Sequence, residues 1–200
     1  MQIKDLEIDN RKDILLLLLL SPGISSEFNE PIIGRTRLVK MLYLFQMEYL
    51  DKFKKANNLT NKLNQFYEFK PWKFGPFSQE VYEDINFFTL RNFISAQKKE
   101  TAIEESATEF FNWQTTLGDD SIQDGTSQDE YVDEEFRLTP KGRAFAEKLY
   151  NLLNTNQKKL LEDLKSYANS SQLRALLFYV YSNYPEYTDK SIIKDEVLGK

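Results

Sequence analysis

Seven consecutive apolar residues, Ile14 to Leu20, lie between the pair Asp9-Asn10 and the sequence Ser21-Pro22-Gly23. Asp9 and Asn10 are both good N-cap residues, and Ser-Pro-Gly is a stop, so the segment is expected to form a helix ending at Leu20. A helix without a polar face must be enclosed on all sides, which places this one at the centre of whatever fold the chain adopts. It is assigned no chemistry. The run is far shorter than the ~20 residues that span a bilayer. Residues 1–13 carry a net charge of −1, whereas a secretory leader begins positive. A cytoplasmic protein with no membrane contact is the expectation.

The chain has 200 residues, 41% of them hydrophobic, and no Gly/Ser/Pro-rich linker, enough for one well-buried core. Cysteine and histidine are both absent, which removes disulfides, thiol nucleophiles, imidazole acid/base catalysis and the common zinc sites. No P-loop or dinucleotide fingerprint occurs. The segment Asp120 to Gly125 superficially resembles a calcium loop, but Ile122 and Tyr131 stand where ligands are required. The expectation is a protein without catalytic residues, cofactor or metal.

Helical periodicity continues from Arg35 towards Lys55, with Leu38, Met41, Leu42, Phe45 and Tyr49 on the core face. Val39, Tyr43, Leu44, Met47 and Leu50 add more apolar surface than one contact uses, so this helix is either enclosed or part of an interface. Phe66 to Trp72 alternates and suits a short strand or extended segment lying on the core, at an edge because of Pro71. Gly75-Pro76 is a turn, and Ser78 is a cap for a helix reaching Phe93 that buries Val81, Tyr82, Ile85, Phe88 and Leu90. Strands are expected at 94–97 and 135–139, and Thr139-Pro140 opens another helix. Helix, strand, strand, helix in this order reads as a mainly α, winged-helix-like domain with a small β wing. Its bounds are 1–153, with an acidic wing insertion at 100–135. Residues 154–200 form a C-terminal helical extension on the same core. Within the insertion, a short helix is expected between Ala102 and Leu117 and a polar stretch from Gly118 to Glu130.

The net charge of −5 conceals an asymmetry, because residues 100–135 contain twelve acids and no Lys or Arg, leaving the rest of the chain at +7. Arg35, Arg37, Lys40, Lys70 and Lys73 are therefore candidates for nucleic-acid contact, with an ordinary solvated face as the alternative. The helix after Ser78 carries Glu80, Glu83 and Asp84 against Arg91, which opposes phosphate and argues against sequence-specific readout. Trp72, Phe74 and Phe77 around Gly75-Pro76 either pin the turn to the core or stand out as interface anchors.

Leu38, Lys40, Leu42 and Tyr43, followed by Trp72, Gly75, Pro76, Val81 and Tyr82, resemble the Panacea or SocA-like antitoxin-domain superfamily over about residues 10–150. Met41 replaces a leucine of that pattern, and the acidic insertion and the C-terminal helices are additions to it. The resemblance implies a prokaryotic, non-enzymatic protein that binds a protein partner, such as a toxin or a phage-defence effector. The partner-binding candidates are Trp72, Lys73, Phe74, Gly75, Pro76, Phe77 and Tyr82. A winged-helix transcriptional regulator with weak DNA binding is the alternative, and a homodimer is compatible with either.

Overall fold

The computed structural model describes residues 6–56, 63, 66–99 and 133–199. The chain is mainly helical with a small antiparallel sheet. The expectations for 102–117 and 118–130 lie outside the described residues.

Helix α1 (Arg11–Leu20) begins with a capping box: the Asn10 side chain accepts from the Lys12 and Asp13 amides, and Asp13 accepts from the Asn10 amide. Burial pushes the Asp13 carboxyl up to about 6, against hydrogen bonds from the Asp9 and Asn10 amides. Ile14 to Leu20 are completely buried. Strand β1 (Ile32–Ile33) leads into helix α2 (Arg35–Leu44), which passes through a π-helical turn at Phe45–Tyr49 into helix α3 (Leu50–Lys55). The surplus apolar surface of this long helix is enclosed within the chain, apart from Met47 and the half-buried Tyr49 and Leu50.

A two-stranded hairpin follows, β2 (Lys70–Trp72) with β3 (Gly75–Phe77). Phe66 to Phe69 is irregular, so the strand expected from Phe66 is confined to its last three residues. Helix α4 (Gln79–Leu90) ends three residues earlier than the apolar pattern suggests. Asn92 adopts a left-handed φ of 57°, and the Phe93 amide reaches back to the Phe88 carbonyl at 2.8 Å, closing the helix in a Schellman motif. Leu90, expected in the core, is 85% exposed; two residues beyond the buried Phe88 is about 200° around the helix.

Strands β4 (Ile94–Lys99) and β5 (Asp133–Leu138) pair antiparallel, Ile94 opposite Leu138 and Ala96 opposite Phe136. β1 adds on the other side of β5 with Ile32 opposite Phe136, giving the order β1-β5-β4. Thr139 caps helix α5 (Pro140–Tyr150) through its side-chain oxygen. Helices α6 (Thr155–Ser170) and α7 (Leu173–Asn183), a 3-10 turn at Pro185–Tyr187 and the short helix α8 (Lys194–Leu198) complete the chain.

α1 packs against β5, α5 and α6, and α2 packs against β1, β3, α6 and α7. Among the described residues one buried hydrophobic cluster draws members from Ile8 to Val197 and includes Leu161, Leu164, Leu176, Leu177 and Val180 of the C-terminal helices. Lys165 is fully buried in α6, where its ammonium donates to the Leu19 and Ser21 carbonyls at 2.7 Å each. It thereby serves two carbonyl groups that the end of α1 leaves without partners. No described helix is long and apolar enough to cross a membrane.

Candidate functional site

The β2–β3 hairpin brings most of the sequence candidates together, and its structure follows from two prolines. Pro71 faces Pro76 across the pair, a position at which the two strands exchange no hydrogen bond, so the Pro76 carbonyl is directed away from β2. Lys40 supplies its donor: the Nζ lies 2.8 Å from that carbonyl oxygen, and the side chain is almost completely buried. Burial pushes the Lys40 ammonium down to about 7. Behind the turn, the Ser191 hydroxyl and the Ile192 amide donate to the Lys73 carbonyl at 3.1 and 2.9 Å. Gly75 has φ 80°, and a Cβ there would stand 2.7 Å from the Tyr181 ring. The glycine is therefore required both by the turn and by the close approach of Tyr181.

The outer face of this pinned hairpin carries rings. Trp72 is 48% exposed and tilts against Phe77 with centroids 6.2 Å apart. Phe77 packs at 5.2 Å against Tyr82 of α4, and the Arg35 guanidinium lies 4.9 Å over the Tyr82 ring. Arg35 is itself held by two hydrogen bonds to Glu134, of 2.7 and 2.9 Å. Burial raises the Tyr82 hydroxyl pKa, with Arg35 opposing and Glu134 reinforcing. The result is a continuous strip, Trp72–Phe77–Tyr82–Arg35, whose members are positioned before anything binds. Phe74 is half-buried and packs against the core cluster, and Gly75 and Pro76 are buried beneath the strip.

The five basic candidates are not gathered on one face. Lys40 belongs to the interior and offers phosphate no surface charge. Arg37 is a clamp, donating to the Ile33, Ala168 and Ser171 carbonyls and tying α2 to the end of α6. Arg35 faces Glu134. Lys70 is 67% exposed in an ion pair with Glu68 at 3.1 Å, and Lys73 is half-buried on the hairpin turn.

α4 also differs from its sequence pattern. Glu80 and Asp84 turn towards α1, where Arg11 bonds both and Lys12 lies 3.5 Å from Asp84. Asp84 is buried by this arrangement. The outward positions of α4 are Gln79, Glu83, Asn86, Thr89 and Leu90, a face with one acid where the sequence suggests three. Ser78 occupies the N-cap position, but its hydroxyl is buried without a partner and makes no capping hydrogen bond.

Tyr181, Ser191 and Glu134 were not legible as parts of this site. They lie 57 or more residues from Phe77 in sequence, and only the packing of α7 and β5 brings them there. Among the described residues no group of three or more acidic side chains is placed to hold a metal ion. Compared with protein-family models, curated proteins and solved structures, the chain matches none of them.

Proposed function

We propose that this chain is a non-enzymatic protein-binding module of the antitoxin-like or phage-defence-accessory kind, and that the Trp72–Phe77–Tyr82–Arg35 strip contacts the partner. The observation that carries this reading is Trp72: a large ring half-exposed on a hairpin that the core pins from behind. Interfaces concentrate their energy in aromatic and arginine side chains, and rings already held in place lose little freedom on binding. The resemblance to the Panacea or SocA-like domains rests partly on Trp72, Gly75, Pro76 and Tyr82, and it supports the same surface.

The test begins with the proteins retained by the tagged chain from its own cells, or with the product of an adjacent gene. The retained protein is then purified and its affinity measured directly. Trp72→Ala is expected to weaken that affinity by roughly 30-fold or more, the scale of an interface hot spot, while the unfolding midpoint stays close to that of the parent. Unchanged affinity in Trp72→Ala, Phe77→Ala and Tyr82→Ala would remove the strip from the interface.

A second reading, a winged-helix transcriptional regulator, is favoured by one observation. α1, β1, α2, α4, β4 and β5 follow in the order helix, strand, helix, helix, strand, strand, with the sheet order β1-β5-β4. In that arrangement α4 takes the groove-facing position, and pairing of Glu80 and Asp84 with Arg11 removes part of its repulsion for phosphate. With Lys40 buried and Arg37 committed to carbonyls, DNA binding is expected to be weak, sequence-tolerant and steeply salt-dependent. Fluorescence anisotropy with specific and random duplexes distinguishes the readings, since tight, sequence-selective binding at physiological salt would favour the regulator.

A further inference from the structure

A cavity of about 560 Å³ opens on a side of α4 different from that carrying Tyr82, and Arg11, Gln46, Phe66, Tyr67, Glu68 and Glu80 line it. Three features set it apart from an incidental cleft. Gln46 and Leu50 reach it from the π-helical turn Phe45–Tyr49 and the residue that follows, and such turns, unfavourable in themselves, recur at functional sites. The Gln46 side-chain oxygen is buried in the wall with no donor, a state that costs free energy unless something supplies one. The Tyr67 hydroxyl is buried there too, close to Asp84 without completing a hydrogen bond.

The wall is rich in acceptors and its one cation is committed. Arg11 bonds Asp84 at 2.9 Å and also bonds Glu80, and its guanidinium lies 5.1 Å over the Tyr67 ring. An anion would have to displace two carboxylates to reach it. Glu80 accepts from the Glu68 amide at 2.8 Å, and the Glu68 carboxylate pairs with the exposed Lys70. The Phe66 and Tyr67 rings stand edge to face, 5.1 Å apart. Ring faces beside carboxylates attract organic cations, and the cavity has room for a short aliphatic chain behind the charge.

We propose that this cavity binds an alkylammonium or alkylguanidinium group, with Glu68 and Glu80 compensating the charge, the Gln46 oxygen accepting a hydrogen bond after a turn of its amide, and Phe66 and Tyr67 flanking the methylenes. The same chemistry is offered by a free amine and by a Lys or Arg side chain of a partner. The site is separate from the Trp72 strip and does not depend on the function assigned to it.

The experiment titrates the full chain with 1,4-diaminobutane, butylguanidine and an acetylated, amidated Gly-Lys-Gly peptide, following the Gln46 side-chain amide and the Arg11 Nε–H signals by NMR. The controls are N,N′-diacetyl-1,4-diaminobutane and inorganic phosphate. At least one cation is expected to shift both signals saturably, and the diacetyl compound is not. Gln46→Leu should weaken binding roughly tenfold or more, and Glu68→Gln, an exposed change that leaves the wall intact, about two- to fivefold. Response to the small amines alone assigns the guest to a free metabolite, and response to the peptide assigns it to a side chain. The proposal is overturned if no cation shifts the signals up to about 10 mM, a very weak affinity, if the diacetyl compound binds as well as the diamine, if phosphate alone shifts Arg11, or if Glu68→Gln binds like the parent.

Discussion

Lys40 and Lys165 are both lysines held in the interior by backbone carbonyls, one under the hairpin and one at the end of α1. Burial pushes each down to about 7 from an ordinary value of 10.5; for Lys165, Glu30 opposes the shift and Arg137 adds to it. Between those pH values the unfolded chain binds more protons than the folded one, so stability rises with pH. Above about pH 10 the buried tyrosines, raised by burial, work in the opposite direction. Urea unfolding should therefore give midpoints that climb from pH 7 to 9, with a visibly smaller climb in Lys40→Met, where Lys165 alone remains. A flat parental profile would contradict the burial of both ammonium groups. A fully buried aromatic costs about 3–5 kcal/mol on truncation to alanine, but Trp72 is 48% exposed, so Trp72→Ala should lose no more than about 1 kcal/mol in chemical denaturation.

The hairpin and α5 each depend on a glycine whose neighbour comes from a distant part of the chain. A Cβ on Gly75 would meet Tyr181 of α7, and φ there is 80°. Gly75→Ala is expected to cost roughly 2–4 kcal/mol, combining the strained backbone with the clash. The Ile192 amide bonded to the Lys73 carbonyl should exchange with solvent faster as the hairpin lifts, which hydrogen-exchange NMR reads directly. Gly142 lies in the first turn of α5, where a Cβ would run into the Phe93 carbonyl oxygen at the entry to β4. Backbone on both sides leaves no side chain to move aside. Gly142→Ala is expected to destabilise by about 1–3 kcal/mol, measured as a drop in urea midpoint with the hairpin signals unchanged.

At the scale of the whole molecule, the helices beyond residue 153 complete the enclosure of α1, α2 and α3. α6 covers all three, α7 covers α2, and Asn154 and Gln157 donate to the Ala56 and Phe53 carbonyls at the end of α3. Residues 1–153 alone would expose apolar faces of α1 and α2, strip the Leu19 and Ser21 carbonyls of Lys165, and leave the hairpin without Tyr181, Ser191 and Ile192. A chain ending at residue 153 is expected to aggregate or to bind a hydrophobic dye with no cooperative transition, whereas a truncation that folds cooperatively with the parental hairpin signals would make the extension dispensable.

Local chemistry in the sequence was sufficient for the elements whose signals are local. Ile14 to Leu20 had to be interior because no polar face was available, Asn10 and Thr139-Pro140 mark helix starts by their capping chemistry, and Gly75-Pro76 marks a turn. The candidate strip was legible only as separate rings, since Trp72, Phe77 and Tyr82 carry no sign of which way they point. Charge was the least legible feature. Lys40, Arg37, Glu80 and Asp84 look like surface groups in composition, yet each is consumed by a partner that tertiary packing supplies: Pro76, Ala168, and Arg11 for both acids. Sequence periodicity reports apolar faces because burial acts on each residue by itself; a charge depends on the one group opposite it, and only the folded chain determines which group that is.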